Sequence, residues 1–328
     1  MIEAIFPGLY RIEIPLPGNP LKMLNSYFIR GDGRGLIIDT GFNRRECREA
    51  YDAAIRELNI DMRRTDIFIT HLHGDHSGLV SYLSAPETKV WGGDYYLQAS
   101  ARGNAGPQWS YFADLIKQSG LSAENITLQD HPGYKFASEP FDRIEVVRNG
   151  DRIDVGDYHF QCLETSGHAP DHLCLYEADK KILLCGDHIL AKITPNITVW
   201  GAPWGIERDF LGEYLDNLKK SAELEIDLLL PGHRAVIRDH RRRIGELLEH
   251  HDRRLNNILA LIGDTRMNGA QVASQMDWDL TFKTWADFPP AQKIFATGEA
   301  LAHLTHLTFT GRLQTELRDG VVYYSKKP

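Results

Sequence analysis

Apolar positions along the 328-residue chain follow two different rhythms. In the first 80 residues, short runs at 26–30, 36–39 and 66–70 are rich in Ile and Phe and bounded by Gly, Asn or charged residues, which predicts strands. Between the second and third of these, Cys47, Ala50, Tyr51, Ala54, Ile55 and Leu58 recur at spacings of 3, 1, 3, 1 and 3, the signature of one helical face. Residues 94–140 change character. Short helices at 95–100 and 109–119 flank a Gly/Asn/Pro loop at 103–107, which predicts an insertion or cap. Strand runs return at 142–148, 159–165, 172–177 and 181–185, separated by turn signals such as Asn149-Gly150 and Val155-Gly156. A helix near 209–218 then leads into an apolar strand at 226–230, closed by Pro231 and Gly232.

After residue 240 the strands nearly vanish. Ile244, Leu247, Leu248, Leu255, Ile258, Leu259 and Ile262 predict a long amphipathic helix that opens with Arg241, Arg242 and Arg243. Shorter helices follow at 270–276 and 291–308, and the runs 312–318 and 321–324 around Asp319-Gly320 predict a hairpin. Helices followed by a hairpin suggest a winged-helix-like appendage at 241–328 behind a main unit at 1–240. There is no internal repeat and no low-complexity tract.

With 42% hydrophobic and 25% charged residues, the composition is that of an ordinary globular protein, which excludes disordered, collagenous and disulfide-scaffold classes. Uncharged apolar runs stay far below the ~18–20 residues that cross a bilayer. Residues 1–18 lack a basic segment followed by an apolar core, so no secretory signal is expected and the cytoplasm is the expected compartment. The net charge of −8 disfavours an extended polyphosphate partner. Cys47, Cys162, Cys174 and Cys185 form no C-x-x-C pair and sit in apolar surroundings, as reduced core residues do.

Candidate chemistry centres on Thr70-His71-Leu72-His73-Gly74-Asp75-His76. At ~100° per residue, a helix would scatter the four polar side chains over about 200°. On a strand His76 would face away from the other three. An irregular loop can converge all four, and imidazole with carboxylate suits zinc and similar divalent ions.

This stretch resembles the H-x-H-x-D-H motif of the metallo-β-lactamase-fold, glyoxalase II-like hydrolase superfamily. Later motifs appear in that family's order: Ser166-Gly167-His168-Ala169-Pro170, then Cys185-Gly186-Asp187, then Leu230-Pro231-Gly232-His233. Residues 36–41 resemble the family's strand before its first helix, and the match spans roughly 10 to 240. The resemblance implies a four-layer αββα sandwich of α/β class with the site at one edge. It implies that His71, His73 and His168 bind one metal, that Asp75, His76 and His233 bind a second, and that Asp187 bridges both. Zinc is the first choice, with iron or manganese as alternatives. A Glu stands at the position of His73 in the diiron oxygen-reducing branch, which is therefore disfavoured.

Two divalent cations contribute +4, from which Asp75, Asp187 and a bridging hydroxide remove three, leaving positive charge to stabilise an oxyanion. Asp75 and Asp187 are thus the catalytic candidates, Asp75 as an orienter of the nucleophile. No G-x-S-x-G motif is present. Asp39 resembles the family's buried acidic residue that fixes loop hydrogen bonds. His172 and His188, next to motif residues, are each readable as supporting the ligands or as packed histidines; His131, His159, His240, His250, His251, His303 and His306 show no partner pattern. Aromatic stretches at 91–109 and 200–204 are readable as pocket wall or as core.

The run Ile193-Thr194-Pro195-Asn196-Ile197 resembles one in a branch with a C-terminal winged helix, which includes thioesterase-like enzymes and a lactamase-β-like endoribonuclease. The leading expectation is metal-dependent hydrolysis of a thioester or related acyl bond in a small or medium organic substrate. An endoribonuclease or phosphodiesterase is the alternative, and a mononuclear iron enzyme of sulfur-dioxygenase type another. The helix at 291–308 offers Lys293 as its one cation, and Arg241–Arg243, Arg253 and Arg254 are interleaved with Glu246, Glu249 and Asp252, which reads as a solvated face rather than a nucleic-acid surface. An architectural tail, serving a homodimer or the pocket wall, is the expected role of 241–328.

Overall fold

A computed structural model describes residues 1–135, 138–200, 205–279 and 284–327. Among these residues the strands form three sheets. The first runs in chain order through β1 (Ile2–Phe6), β2 (Leu9–Pro15), β3 (Met23–Ile29), β4 (Gly35–Ile38), β5 (Thr65–Phe68), β6 (Val90–Gly92) and β7 (Glu145–Val146). It is antiparallel up to β4 and parallel from β4 onward. The second has the order β12-β11-β10-β9-β8, built from β8 (Arg152–Val155), β9 (Tyr158–Glu164), β10 (Leu173–Glu177), β11 (Ile182–Gly186) and β12 (Leu228–Pro231).

Alternation along each strand explains the layering. On the inner faces, Leu9, Tyr27, Ile38 and Phe68 of the first sheet meet Phe160, Leu175, Leu184 and Leu230 of the second in one core. The opposite face of the first sheet, with Ile14, Phe28, Ile37 and Ile67, packs on Cys47, Tyr51 and Ala54 of α1 (Arg45–Leu58), the helical face that the spacing predicts. The opposite face of the second sheet, with Cys174, Leu183, Cys185 and Leu229, packs on Phe210, Leu211, Tyr214 and Leu218. Strands buried on both faces have to read as unbroken apolar runs, as 182–185 and 228–230 do. The result is the expected αββα sandwich. All four cysteines are buried, and none is disulfide-bonded.

Short helices α2 (Gly74–Ser77) and α3 (Val80–Leu83) follow β5, and α4 (Asp94–Ser100), α5 (Gln108–Gln118) and α6 (Pro132–Lys135) lie between β6 and β7, in the stretch read above as an insertion or cap. The strand predicted at 142–148 shrinks to β7, because Val147 is the last residue to bond β6 and Arg148 N–H turns to the Asp151 carboxylate. After α7 (Phe210–Ala222), the chain continues through α8 (His240–Ile262), β13 (Met267–Asn268), α9 (Gly269–Gln275), α10 (Pro290–Phe309), β14 (Leu313–Arg318) and β15 (Val321–Lys326). The third sheet has the order β13-β15-β14, and its hairpin turns through Asp319 and Gly320, both at positive φ.

The tail does not stand apart. Leu247, Ile258, Ala300, Leu304 and Tyr324 belong to the same core as Leu183, Cys185 and Leu211 of the sandwich. The cap joins it as well: Ile116, Leu121 and Ile126 pack on Ala270 and Ile294, and Ala270 N–H donates to Ser119 O at 2.9 Å. Helix α10, far from offering a free face, is buried at every position from Ala296 to Thr305. Of the arginines read as a solvated face, Arg243 and Arg254 turn inward, Arg243 to the Leu190 and Ile193 carbonyls and Arg254 to Glu299.

Leu247 is fully buried where α8 meets the sandwich. Leu247→Ala is expected to cost about 2–5 kcal/mol in urea unfolding and to lower one transition shared by both parts. Two separable transitions would show that the tail unfolds by itself.

Candidate metal centre

Four strand ends converge at one edge of the sandwich. The loop after β5 carries His71, His73, Asp75 and His76; the β9–β10 connection carries His168; Asp187 follows β11 and His233 follows β12. The structure brings all seven together. His71, His73 and His168 form one trio of mutually close ligand atoms, Asp75, His76 and His233 another, and His71, His76 and Asp187 connect them. His73 Nδ1 lies 3.0 Å from both His71 Nε2 and His168 Nε2. Asp187 divides its carboxylate: Oδ2 stands 3.6 Å from His168 Nε2, while Oδ1 stands 3.5 Å from His76 Nε2 and 3.6 Å from His233 Nε2. Asp75 Oδ2 is 3.4 Å from His233 Nε2.

The surroundings aim the rings. Asp39, at the end of β4, accepts from Thr70 N–H at 2.9 Å, from the Thr70 hydroxyl at 2.8 Å and from His76 Nδ1–H at 2.7 Å. With its proton committed to Asp39, Thr70 Oγ1 accepts from His71 Nδ1–H at 3.0 Å, leaving the His71 Nε2 lone pair facing the centre. His168 Nδ1–H donates to Asn196 O and His233 Nδ1–H to Met23 O, each at 2.8 Å. Asp39 thus plays the supporting part expected of it. Thr70 stood in the motif stretch without an assigned role, and the carbonyls of Met23 and Asn196 carried no signal of theirs, since any residue offers a carbonyl.

His172 and His188 part company. His172 Nε2 accepts from Asp187 N–H at 3.1 Å, so its Nδ1–H donates to Thr165 Oγ1 at 2.8 Å, and its ring stacks on His71 with centroids 5.0 Å apart. His188 turns away, hydrogen-bonded to Ser221 Oγ and set against Tyr214. Among the aromatic candidates, Trp200 stacks on His73 at 5.2 Å and Tyr95 meets Trp200 edge-on at 6.1 Å. Tyr96 lies in the core of the first sheet and Trp109 among His131, Phe112 and Tyr134, while Trp204 lies outside the described residues.

Electrostatics divide the centre into two halves. Burial, then the neighbouring imidazoles, push His71 well below its ordinary value and His73 down to about 3, and burial lowers His168 as well. These rings are neutral at pH 7, the state that ligation requires. In the other half burial opposes ionisation but is outweighed: His76 is raised chiefly by Asp39 and Asp187, and His233 by Asp187. Against the same cost of burial, the imidazoles hold Asp187 well below the carboxylate range and Asp75 at about 2.

Whether a metal suits these residues is answered by the atoms left over. His76 Nε2, His233 Nε2 and Asp187 Oδ1 are buried without a hydrogen-bond partner, and all three face the same point. Orphaned buried polar atoms are costly, so a convergent set calls for a cation. A Cβ on Gly232 would come within 2.7 Å of His76 and 2.9 Å of Asp187 Oδ1, so that position has to stay bare for the cradle to close. The seven residues are a nitrogen-rich donor set with two carboxylates, suited to divalent transition metals.

Comparison with known proteins agrees with the geometry. Residues 20–233 match the family model of the metallo-beta-lactamase superfamily, and 281–327 match that of the metallo-beta-lactamase-like C-terminal domain. A metallo-beta-lactamase family protein of Thermus thermophilus superposes with a TM-score of 0.80 at 27% identity, covering 99% of this chain and 100% of that one. A beta-lactamase domain protein of Burkholderia ambifaria superposes at 0.81 with 25% identity, covering 99% and 95%. In sequence, the probable metallo-hydrolase YqjP of Bacillus subtilis is 25% identical over 76% of this chain and 79% of its own length. The atrochrysone carboxyl ACP thioesterase AacuM of Aspergillus aculeatus is 24% identical over 81% and 68%. With the motifs, the layered fold and the family match in agreement, the chain belongs to the metallo-beta-lactamase superfamily.

Proposed function

We propose that this protein is a dinuclear metal-dependent hydrolase, with a thioester or related acyl bond of a small or medium organic molecule as its substrate. The observation that carries this reading is the divided carboxylate of Asp187, one oxygen toward each trio. His71, His73 and His168 would hold one divalent ion, Asp75, His76 and His233 the other, with Asp187 between them. The imidazole-rich donor set favours zinc, with iron or manganese as alternatives. Bound there, the ions would lower the pKa of water and stabilise negative charge developing on the substrate oxygen.

The chain's own residues do the rest. Asp75, ionised and facing the centre, is placed to accept a hydrogen bond from the attacking water and hold it in line. His172 fixes the Asp187 main chain, and Asp39 fixes His76 and Thr70. Trp200 over His73, with Tyr95 beside it, sets an apolar wall next to the ions where an acyl chain could lie. A thioesterase among the relatives at comparable identity supports the acyl reading.

Two observations weigh against nucleic acid as substrate. Helix α10 is interior, and Lys293, its formal cation, is spent on Glu124 at 2.6 Å. The second trio speaks against a mononuclear iron enzyme. Four buried, unpaired cysteines accord with a reducing, cytoplasmic setting, and no helix of the described residues is long and apolar enough to cross a membrane. The tail, sharing its core with the sandwich, is read as architectural, a winged-helix-like shape put to packing use.

Metal-reconstituted protein tested on acyl-CoA thioesters, lactones, phosphodiesters and short RNA should favour the thioesters, and a clear preference for RNA or phosphodiesters would reverse the assignment. Asp187→Ala should lower bound metal below two ions per chain and reduce turnover by more than about 100-fold, beyond the usual cost of disturbing an outer partner. Elemental analysis with two ions retained and wild-type turnover would remove Asp187 from the bridge. His172→Ala should weaken zinc affinity by about 10–100-fold while leaving the seven donors in place; unchanged affinity in a competition titration would make His172 a packing residue.

A further inference from the structure

The imidazole of His168 is aimed from a distance. Its Nδ1–H donates to the main-chain carbonyl of Asn196 at 2.8 Å, so the ring orientation depends on where that residue sits. Asn196 is in turn gripped by the tail. Its side-chain Nδ2 donates to Glu299 Oε2 at 3.1 Å and to Phe295 O at 3.4 Å, both on α10. Glu299 is 8% exposed, and its second oxygen is taken by Arg254 of α8 at 2.6 Å. Arg254 lies over the ring of Trp278 at 4.7 Å. Both carboxylate oxygens are therefore committed, one to each neighbour, and the carboxylate has no freedom to turn. The approach is close by construction: a Cβ on Gly298 would stand 2.1 Å from Thr198 Oγ1, so α10 can lie against 196–198 only with glycine there.

We propose that Glu299 is a positioning residue for the metal centre, acting through Asn196 to fix the ring and tautomer of His168. This rests on the reading of His71, His73 and His168 as a metal site, and it gives the C-terminal tail a share in that site although none of the grouped donors among the described residues comes from the tail. The physical case is that a ligand's outer hydrogen bond sets both its orientation and which nitrogen is free. Here that bond is held by a buried ion pair whose members, Arg254 and Glu299, lie 86 and 131 positions further along the sequence than His168.

The test uses the full-length chain with Glu299→Ala, Glu299→Gln and Asn196→Ala. Two quantities are read: zinc affinity by competition titration, and the His168 Nδ1–H resonance in long-range nitrogen–proton NMR of the metal-free protein. Glu299→Ala and Asn196→Ala should each weaken zinc binding at the His71, His73 and His168 site by about tenfold and speed solvent exchange of the Nδ1 proton. Glu299→Gln keeps an acceptor for Asn196 and should stay within about threefold of wild type. Should Glu299→Ala fail to fold, Asn196→Ala decides in its place. Unchanged zinc affinity and an unchanged Nδ1–H signal in the alanine variants would overturn the proposal, as would a glutamine variant that falls as far as alanine. Because the NMR signal is read without metal or substrate, a wild-type chain that hydrolysed no thioester would sink the functional reading and leave this test standing.

Discussion

A single buried carboxylate ties the metal loop to the sheet. Asp39 ends β4 with φ at 59°, a left-handed conformation that Asp tolerates better than most residues. That turn swings its side chain over the end of β5, where it takes the main-chain and hydroxyl protons of Thr70 and the Nδ1 proton of His76. An ionised carboxylate without partners in this interior would cost several kcal/mol, so these bonds are obligatory rather than incidental. Its own carbonyl is held as well, by the Ser26 and Tyr51 hydroxyls at 2.8 Å each. From this anchor the tautomer of His71 follows through Thr70, and the aim of His76 follows directly.

Clustering is the second problem that the fold has to solve. Several imidazoles and two carboxylates within a few ångströms repel or attract one another strongly once water is excluded. The two halves resolve this differently. The His71, His73 and His168 rings are kept neutral by burial, while the Asp75, His76, His233 and Asp187 group balances charge internally. In that second group His76 Nε2, His233 Nε2 and Asp187 Oδ1 are left without hydrogen-bond partners and face one another.

The motif residues were legible because their spacing is incompatible with a regular element and the resemblance supplied their order. The two-sided apolar runs gave β11 and β12, and the 3.6-residue rhythm gave α1 and α8. What could not be read was whatever depends on contacts distant in sequence. Met23 O supports His233 across 210 positions, and no local pattern announces it. The N-terminal hairpin β1–β2 went unseen because its outer strand is largely exposed and mixed in character. Arg254 reads as part of a solvated face because its helix neighbours are charged; its partner, Glu299, lies 45 residues away. An all-round apolar helix such as α10 gives little amphipathic signal, and that weakness was itself the sign of an interior position.

The clustered ligand side chains and the aromatic pair beside them are carried by different parts of this molecule. The seven clustered side chains follow strand ends, whose geometry is fixed by the sandwich. The aromatic pair beside them, Tyr95 at the start of α4 and Trp200 in the β11–α7 connection, sits on segments that no sheet register constrains. The cap end of that pair can change without moving the ligands, whereas the β11–α7 connection also carries Asn196, whose carbonyl holds His168. Relatives at 24–25% identity bear names as different as metallo-hydrolase and ACP thioesterase. Cap and tail also pack on each other through Ile116, Leu121, Ala270 and Ile294. Packing thus couples the tail to the cap, and the Glu299–Asn196 bond couples it to the backbone that aims His168.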